Sequence, residues 1–334
     1  MRIEDLPGIK PHLITRLKRG GVETVFDLAA SSPLELVEKG GGALTHEEEM
    51  TALELVTIAK KALVASGSLF QDFSTADQIL ERRRNQLKCT TGSSKLDSFL
   101  KGGVETQAIT EFAGEFGSGK SQICYTLCMT ANLPIKKGGF GGNVIFVDTE
   151  NTFRPERVRQ IAENRGISNP DNILKQIYVC KIFDSGNLEL IFHDLGKSIQ
   201  EYRAKLVLID SLISLHRAEF AGREALATRQ QRLSIMLHKL SKLAEIHNVA
   251  VVVTNQVQST PDNFAGNDSI RVTGGNVVAH ATTYRILLRK AGRNRIAIML
   301  DSPCHAYDQT KFTIDEKGVH DVEDTRAKSV GPEW

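Results

Sequence analysis

The run Gly114-Glu115-Phe116-Gly117-Ser118-Gly119-Lys120-Ser121 reads G-x-x-x-x-G-K-S, the pattern of a phosphate-binding loop. It constrains the fold because the chemistry needs a buried strand that turns directly into a helix N-terminus. Gln107 to Ala113 before it is strand-like, and Ile123, Leu127 and Ala131 after it repeat at helical spacing. Glycines let the backbone curl so that successive N–H groups face phosphate oxygens, and the helix dipole adds positive potential. In such a loop Lys120 reaches the β- and γ-phosphates and Ser121 offers its hydroxyl to Mg²⁺. A chance glycine-rich turn is the alternative; the order strand, loop, helix argues against it.

From about residue 89 onward apolar segments alternate with helical ones. Strands are expected at Asn143–Asp148, Ile177–Cys180, Leu206–Asp210 and Val249–Thr254. Helices are expected near Glu156–Asn164, Leu188–Tyr202 and Glu224–His247. The strands are continuously apolar, as when helices cover both faces of a sheet. Strands at Thr283–Leu288, Arg295–Leu300 and Lys311–Ile314 extend that sheet. The predicted class is α/β with a mostly parallel central sheet.

At 334 residues the chain has room for a small unit besides this core. Residues 1–65 read as all-helical. Leu13, Ile14 and Leu17 suit one helix, Val25, Phe26 and Leu28 a second, and Leu34, Leu36 and Val37 a third. Thr45-x-x-Glu48 suits a capping box opening a fourth, with Leu53, Val56, Ala59 and Leu63 facing inward. Leu6-Pro7-Gly8-Ile9 resembles a helix-hairpin-helix turn, whose N–H groups contact a DNA phosphate without reading sequence; a helical protein-interaction module would use the same glycines only as turns. Residues 66–88 read as a linker with a polar helix. Its Phe73 has no core of its own, and the residues alone favour packing on the chain's own domains. The run Glu81-Arg82-Arg83-Arg84 reads as a solvated helix face. Residues 89–334 are the core, with the last dozen residues loosely ordered.

The five cysteines, Cys89, Cys124, Cys128, Cys180 and Cys304, are scattered and odd in number, which predicts reduced thiols in a cytosolic setting. Met1-Arg2-Ile3-Glu4-Asp5 carries no signal-type apolar core, and no apolar run is long enough for a membrane span. A net charge of +2 leaves any basic surface local.

A phosphate loop needs a second metal-side anchor and a group that activates water. Leu206 to Asp210 is an apolar strand ending in a carboxylate, so Asp210 is placed beside Mg²⁺. Glu150, after Val147-Asp148-Thr149, is assigned to orient and deprotonate the attacking water; a capping or solvated loop acid is the alternative. Gln256 follows another strand and is placed to sense the γ-phosphate. The polar stretch Val257–Gly275 carries Phe264 and Arg271, and the stretch Leu215–Thr228, with its helical end, carries Arg217, Arg223 and Arg229. Both read as functional loops. Arg285, Arg289, Lys290, Arg293 and Arg295 form a local basic patch.

These residues together resemble the RadA recombinases, archaeal members of the RecA-like strand-exchange family. The resemblance covers nearly the whole chain. It is carried by Gly114 to Gln122, by Asp148-Thr149-Glu150-Asn151-Thr152-Phe153-Arg154-Pro155-Glu156-Arg157, by Thr254-Asn255-Gln256-Val257, and by Gly274-Gly275-Asn276 with His280. It implies a RecA-like core and an ATP- and Mg²⁺-dependent filament on single-stranded DNA that exchanges strands with a homologous duplex in recombination and double-strand-break repair. It implies a cytoplasmic, nucleoid-associated protein that self-assembles as filament or ring and meets recombination mediators and paralogues. Phe73 and Ala76 match a Phe-x-x-Ala polymerisation motif that docks in the adjacent protomer. Arg157 matches a position stacking on adenine, and His280, Asp301 and Pro303 match positions approaching the nucleotide from across the interface. Arg217, Arg223 and Arg229, and Phe264 and Arg271, match the two DNA-binding loops. Weak net charge fits, because many copies on one strand each need few phosphate contacts. One departure stands out. The family has Leu-Pro-Glu after Asp301-Ser302-Pro303-Cys304, where this chain has His305-Ala306-Tyr307-Asp308-Gln309; this alters the nucleotide cap and any monovalent-cation site there.

Two rival readings are a paralogue that regulates filaments without exchanging strands, and a ring-forming helicase or kinase. Such paralogues often lack the N-terminal unit or the Phe-x-x-Ala motif, and both are present here. The stretch Gly274-Gly275-Asn276 and the N-terminal unit argue against the ring enzymes.

Overall fold

In a computed structural model, residues 1–38, 49–69, 73–219, 225–259 and 270–323 are described. The first helices are α1 (Pro11–Arg19), α2 (Val25–Ala30), α3 (Pro33–Glu38) and α4 (Glu49–Ala65). Thr24 starts α2 with a reciprocal capping box: its hydroxyl accepts from Asp27 N at 3.1 Å and its N–H donates to the Asp27 carboxylate at 2.9 Å. On α4 the inward stripe is Ala52, Leu55, Val56, Ala59 and Leu63. Leu53 lies one position off that stripe and is 48% exposed, which corrects the expectation that it faces inward. Leu34 is exposed as well. Thr45 and Glu48 lie outside the described residues.

The linker helix α5 (Ala76–Arg84) is capped by Thr75, whose hydroxyl accepts from Gln78 N at 3.3 Å, and it buries none of its residues. The remaining elements, in order, are β1 (Lys88–Cys89), α6 (Ser94–Phe99), β2 (Val104–Glu105), β3 (Ile109–Gly114), α7 (Lys120–Thr130), β4 (Asn143–Asp148), α8 (Pro155–Asn164), α9 (Pro170–Leu174), β5 (Ile177–Lys181), α10 (Ser185–Glu201), β6 (Ala204–Asp210), α11 (Ser214–Glu219), α12 (Leu226–His247), β7 (Ala250–Ser259), β8 (Ile270–Val272), α13 (Gly275–Ala281), β9 (Tyr284–Ala291), β10 (Asn294–Asp301), β11 (Gln309–Asp315) and β12 (Gly318–His320).

Nine of these strands form one sheet in the order β12-β11-β10-β9-β3-β7-β6-β4-β5, and β8 pairs with β7. The strands β9, β3, β7, β6, β4 and β5 run parallel, and β10 to β12 continue antiparallel. The apolar runs become a two-sided sheet by simple alternation. Val144, Phe146, Leu206, Leu208, Ala250 and Val252 face α7 and α8, in one core with Ile123, Leu127 and Ile161. Ile145, Val147, Val207, Ile209, Val251 and Val253 face α10 and α12, in a second core with Leu188, Leu237 and Leu240. Phe112 and Phe146 are fully buried, so truncating either to alanine costs about 3–5 kcal/mol. Cys124 and Cys128 are buried core residues of α7.

The second core continues into the N-terminal helices, where Leu17, Val25, Leu28 and Leu63 join it. Glu23 pairs with Lys197 of α10 at 3.1 Å, and Phe26 stacks on His247 at 5.1 Å. Two stretches expected as loops are partly regular. Arg217 lies in α11, and Val257 pairs with Val272 in a β7–β8 hairpin, while Arg229 lies in α12 as its helical position leads one to expect. The paired stretches are three residues each, Val257–Ser259 and Ile270–Val272, too short for alternation to reveal them in the sequence. No helix among the described residues is long and apolar enough to cross a membrane.

Candidate functional site

The strands β3, β4, β6 and β7 all point their C-terminal ends to the same sheet edge, where ligands bind in open α/β folds. The phosphate loop leaves β3 there. Gly114 is required by close approach, since a Cβ on it would meet Leu288 O at 2.6 Å and Ser118 Oγ at 2.5 Å. Gly119 takes φ +108° and a Cβ there would meet Ile314 Cδ1 at 2.6 Å. Glu115, Phe116 and Gly117 form the exposed tip, and Ser118 and Gly119 are buried. Lys120 Nζ donates to Gly114 O at 2.8 Å and Glu115 O at 3.0 Å, so the ammonium is held across the loop. Burial lowers the Lys120 pKa, while Asp210 and Glu150 nearby favour its charged form. Lys290 and Arg295, from the basic patch of the sequence, lie beside Gly117 and Gly119 and add positive charge to the loop.

Asp210 ends β6 almost completely buried. Burial raises its pKa, opposed by hydrogen bonds from the Ser121 and Thr254 hydroxyls. Its Oδ2 and the Ser118 Oγ are buried with no partner among the described residues. Buried polar atoms without partners are costly, so these two suit a bound polar group. Glu150 is exposed, and its Oε1 accepts from Ser211 Oγ at 2.7 Å and Gln256 Nε2 at 3.3 Å. Gln256 Oε1 in turn accepts from Arg217 Nη1 at 3.3 Å. Asp148 is spent on structure: its carboxylate accepts from Glu150 N, Thr152 N and Phe153 N, fixing the turn that carries Glu150. Lys120, Ser121, Asp210, Glu150 and Gln256 are thus brought together, with Arg217 linked to them.

Arg157 of α8 reaches the same edge. Its Nε donates to Gln122 Oε1 at 2.9 Å, and its other nitrogens hold Asp315 O and Glu316 O of the β11–β12 turn. His280, Asp301 and Pro303 are exposed but lie elsewhere. Asp301 pairs with Arg285, which pairs with Glu111, early in β3. That register sets Asp301 about 10 Å back along the strand from Gly114 and two strands, about 10 Å, to the side. Pro303 continues away from the loop, and His280 lies near the end of α13, four positions before β9 begins at Tyr284. The residues expected to reach a nucleotide from across an interface therefore sit toward the sheet edge opposite the phosphate loop.

In the divergent segment His305–Gln309 the anchored residue is His305, while Ala306, Tyr307 and Asp308 are exposed. His305 Nδ1 lies 2.7 Å from Ser302 Oγ, and its ring meets Tyr284 edge-on at 5.4 Å. Burial, with Lys101 nearby, lowers the His305 pKa. Phe73 is 93% exposed and Ala76 is exposed, so the self-packing favoured by the residues alone does not occur. Tyr178, Val179 and Cys180 lie on β5, the sheet's edge strand, where Val179 and the following Phe183 are exposed. Of the DNA-loop candidates, Arg223 and Phe264 lie outside the described residues, as does the side chain of Arg271. Arg285 of the basic patch is not a surface cation: its Nε donates to the buried Glu111 at 2.6 Å.

The sequence reading missed Ser211, which orients Glu150, and the buried set Glu111, Asn255 and Arg285. Asn255 Nδ2 donates to Glu111 Oε1 and to Thr273 O, both at 2.7 Å. A charged residue inside the apolar run Ile109–Gly114 was the one available signal.

A family model described as Rad51 matches residues 82–322. The "DNA repair and recombination protein RadA" of Cenarchaeum symbiosum (strain A) is 44% identical over 323 residues, spanning 96% of this chain and 79% of that protein. The match takes in the phosphate loop, the carboxylates at the strand ends and the antiparallel extension alike, and the chain belongs to the Rad51 family.

Proposed function

We infer that the chain is a DNA-dependent ATPase and strand-exchange recombinase, which assembles on single-stranded DNA and pairs it with a homologous duplex in recombination and repair. Family membership supports this, and the RecA-like core supplies the nucleotide edge. The observation that carries the finer reading is the division of site residues between opposite sheet edges. Lys120, Ser121 and Asp210 serve one nucleotide, while the exposed Asp301, followed by Pro303, lies back along the sheet from the phosphate loop by register. A head-to-tail, heterologous contact between copies brings one set against the other and, when its rotation does not close, propagates as a helix.

ATP binds with its phosphates in the loop Gly114–Gln122 and its base near Arg157. The unpartnered Asp210 Oδ2 and the Ser121 hydroxyl fit Mg²⁺. No group of three or more His, Cys, Asp or Glu among the described residues is arranged to hold a metal. Such an ion therefore takes most ligands from phosphate and water, as Mg²⁺ does. When bound it neutralises charge on the phosphates. Glu150, fixed by Ser211, orients and deprotonates water; Lys120 stabilises the charge on the transferred phosphoryl group. Gln256 joins Glu150 to Arg217 and to the β7–β8 hairpin. The DNA contacts are assigned to Arg217, Arg223 and Arg229 and to the hairpin with Phe264 and Arg271, and a further phosphate contact to the Leu6–Ile9 turn. Residues 1–65 form the helical unit, 66–88 the tether and 89–334 the ATPase core. Phe73 and Ala76 of the tether dock on a neighbouring copy, for which the exposed β5 edge is the acceptor. Mediators and paralogues act on this same assembly, and its place is the cytoplasm, at the nucleoid.

The test is ATP hydrolysis with and without single-stranded DNA, beside Lys120→Ala. Stimulation by DNA that is lost in the variant is expected. Hydrolysis indifferent to DNA, or intact in Lys120→Ala, would contradict the reading.

A further inference from the structure

We propose that Asn255 is a positioning residue that holds Gln256 against Glu150 and ties the β7–β8 hairpin to the strand feeding the phosphate loop. This rests on the functional reading above.

Asn255 is fully buried, and its amide is used at both ends. Its Oδ1 accepts from Gln256 N at 2.8 Å. Its two donors go to Glu111 Oε1 on β3 and to Thr273 O, the residue after β8, both at 2.7 Å. Thr273 N closes the frame by donating to Gln256 O at 3.0 Å. One side chain therefore grips the nucleotide strand, the backbone of Gln256 and the return stem of the hairpin. Two acceptors facing its nitrogen fix which way the amide points.

Glu111 makes that orientation obligatory. It is a fully buried carboxylate, and its other oxygen accepts from Arg285 Nε at 2.6 Å. A buried ion pair is weak evidence of stability, since apolar side chains of similar volume often serve the sheet as well. What the carboxylate supplies here is a pure acceptor, so only the NH₂ side of Asn255 can face it. Arg285 is also the register partner of Asp301, at the edge assigned to the neighbouring copy. The chain Asp301 strand, Arg285, Glu111, Asn255, Gln256, Glu150 thus links that edge, the hairpin and the hydrolytic carboxylate by contiguous contacts. A shift of the hairpin stem at Thr273 acts on Asn255 and hence on the 3.3 Å contact from Gln256 to Glu150.

The test uses the full chain with Asn255→Ala, Gln256→Ala and the double variant, with thermal unfolding as the folding control. For Asn255→Ala, binding of a fluorescent ATP analogue should stay within about twofold of the parent, while stimulation of hydrolysis by single-stranded DNA falls ~10-fold. Because Asn255 acts through Gln256, the double variant should be no more impaired than Gln256→Ala alone. A residue that is merely structural would give additive losses. Should Asn255→Ala fail to fold, Asn255→Ser, which loses the paired donors but stays polar, is read in the same way. Additive losses, or stimulation that survives in a folded Asn255 variant, would overturn the proposal. A parent chain that DNA does not stimulate would overturn the functional reading itself, so the two failures are distinct.

Discussion

Lowering the pH should loosen the seat of the N-terminal helices through one residue, His247. It ends α12 and stacks on Phe26 of α2 with ring centroids 5.1 Å apart. Its Nε2 is buried without a partner among the described residues. Gly196 of α10 makes room for it, since a Cβ there would lie 3.3 Å from that nitrogen and 3.5 Å from Asp27 Oδ1. Burial, reinforced by Lys205, pushes the imidazole down from 6.5 to about 4. The unfolded chain binds the proton near the ordinary value and the folded chain resists it. Stability is therefore full above the unfolded value, declines as pH falls through the window between the two values, and levels off below the folded one. At about pH 5 the difference amounts to about 2 kcal/mol of lost stability from this group. His247→Phe keeps a ring on Phe26 and has nothing to titrate. Urea unfolding of parent and variant at about pH 7.5 and about pH 5 isolates the contribution as the excess loss of the parent. An excess near 2 kcal/mol is expected; equal losses in the two chains would refute the reasoning.

Three further outcomes are expected. Phe73→Ala should yield monomers or short oligomers in light scattering while still binding ATP; unaltered filaments would remove its role in assembly. Gly119→Ala, at φ +108° with its added Cβ only 2.6 Å from Ile314 Cδ1, should weaken nucleotide binding by ~10-fold or more in a fluorescence titration; unchanged affinity would mean that the loop relaxes freely. ATP hydrolysis should respond to potassium less than in a relative carrying Leu-Pro-Glu after the Asp-Ser-Pro-Cys run, because His305-Ala306-Tyr307 stands in its place and His305 is held on Tyr284 and Ser302. Matching potassium stimulation would count against a changed cap.

Much of the fold was legible because it rests on local patterns. The run Asn143–Asp148 is a strand at the expected bounds, and the loop at Gly114 joins strand to helix as its glycines demand. The carboxylates at strand ends were legible for the same reason: a parallel sheet sends every such end to one edge. What stayed hidden depends on partners far along the chain. Arg285 looks like a surface cation until Glu111, 174 residues away, takes its guanidinium. Leu53 is an apolar residue on the wrong side of a helix, which hydrophobicity without phase does not reveal. Phe73 lacks a core in its own chain, so its residue type favours self-packing while its environment leaves it exposed. The separation of Asp301 from the phosphate loop follows from register across β3, β9 and β10, which no local pattern records.

The most direct measurement is strand exchange between single-stranded DNA and a homologous duplex, with ATP and Mg²⁺, for the parent chain and for Lys120→Ala. Joint molecules and displaced strand are expected with the parent and absent with the variant. A parent chain that loads on single-stranded DNA and hydrolyses ATP yet forms no joint molecules would contradict the recombinase reading and favour a regulator of filaments.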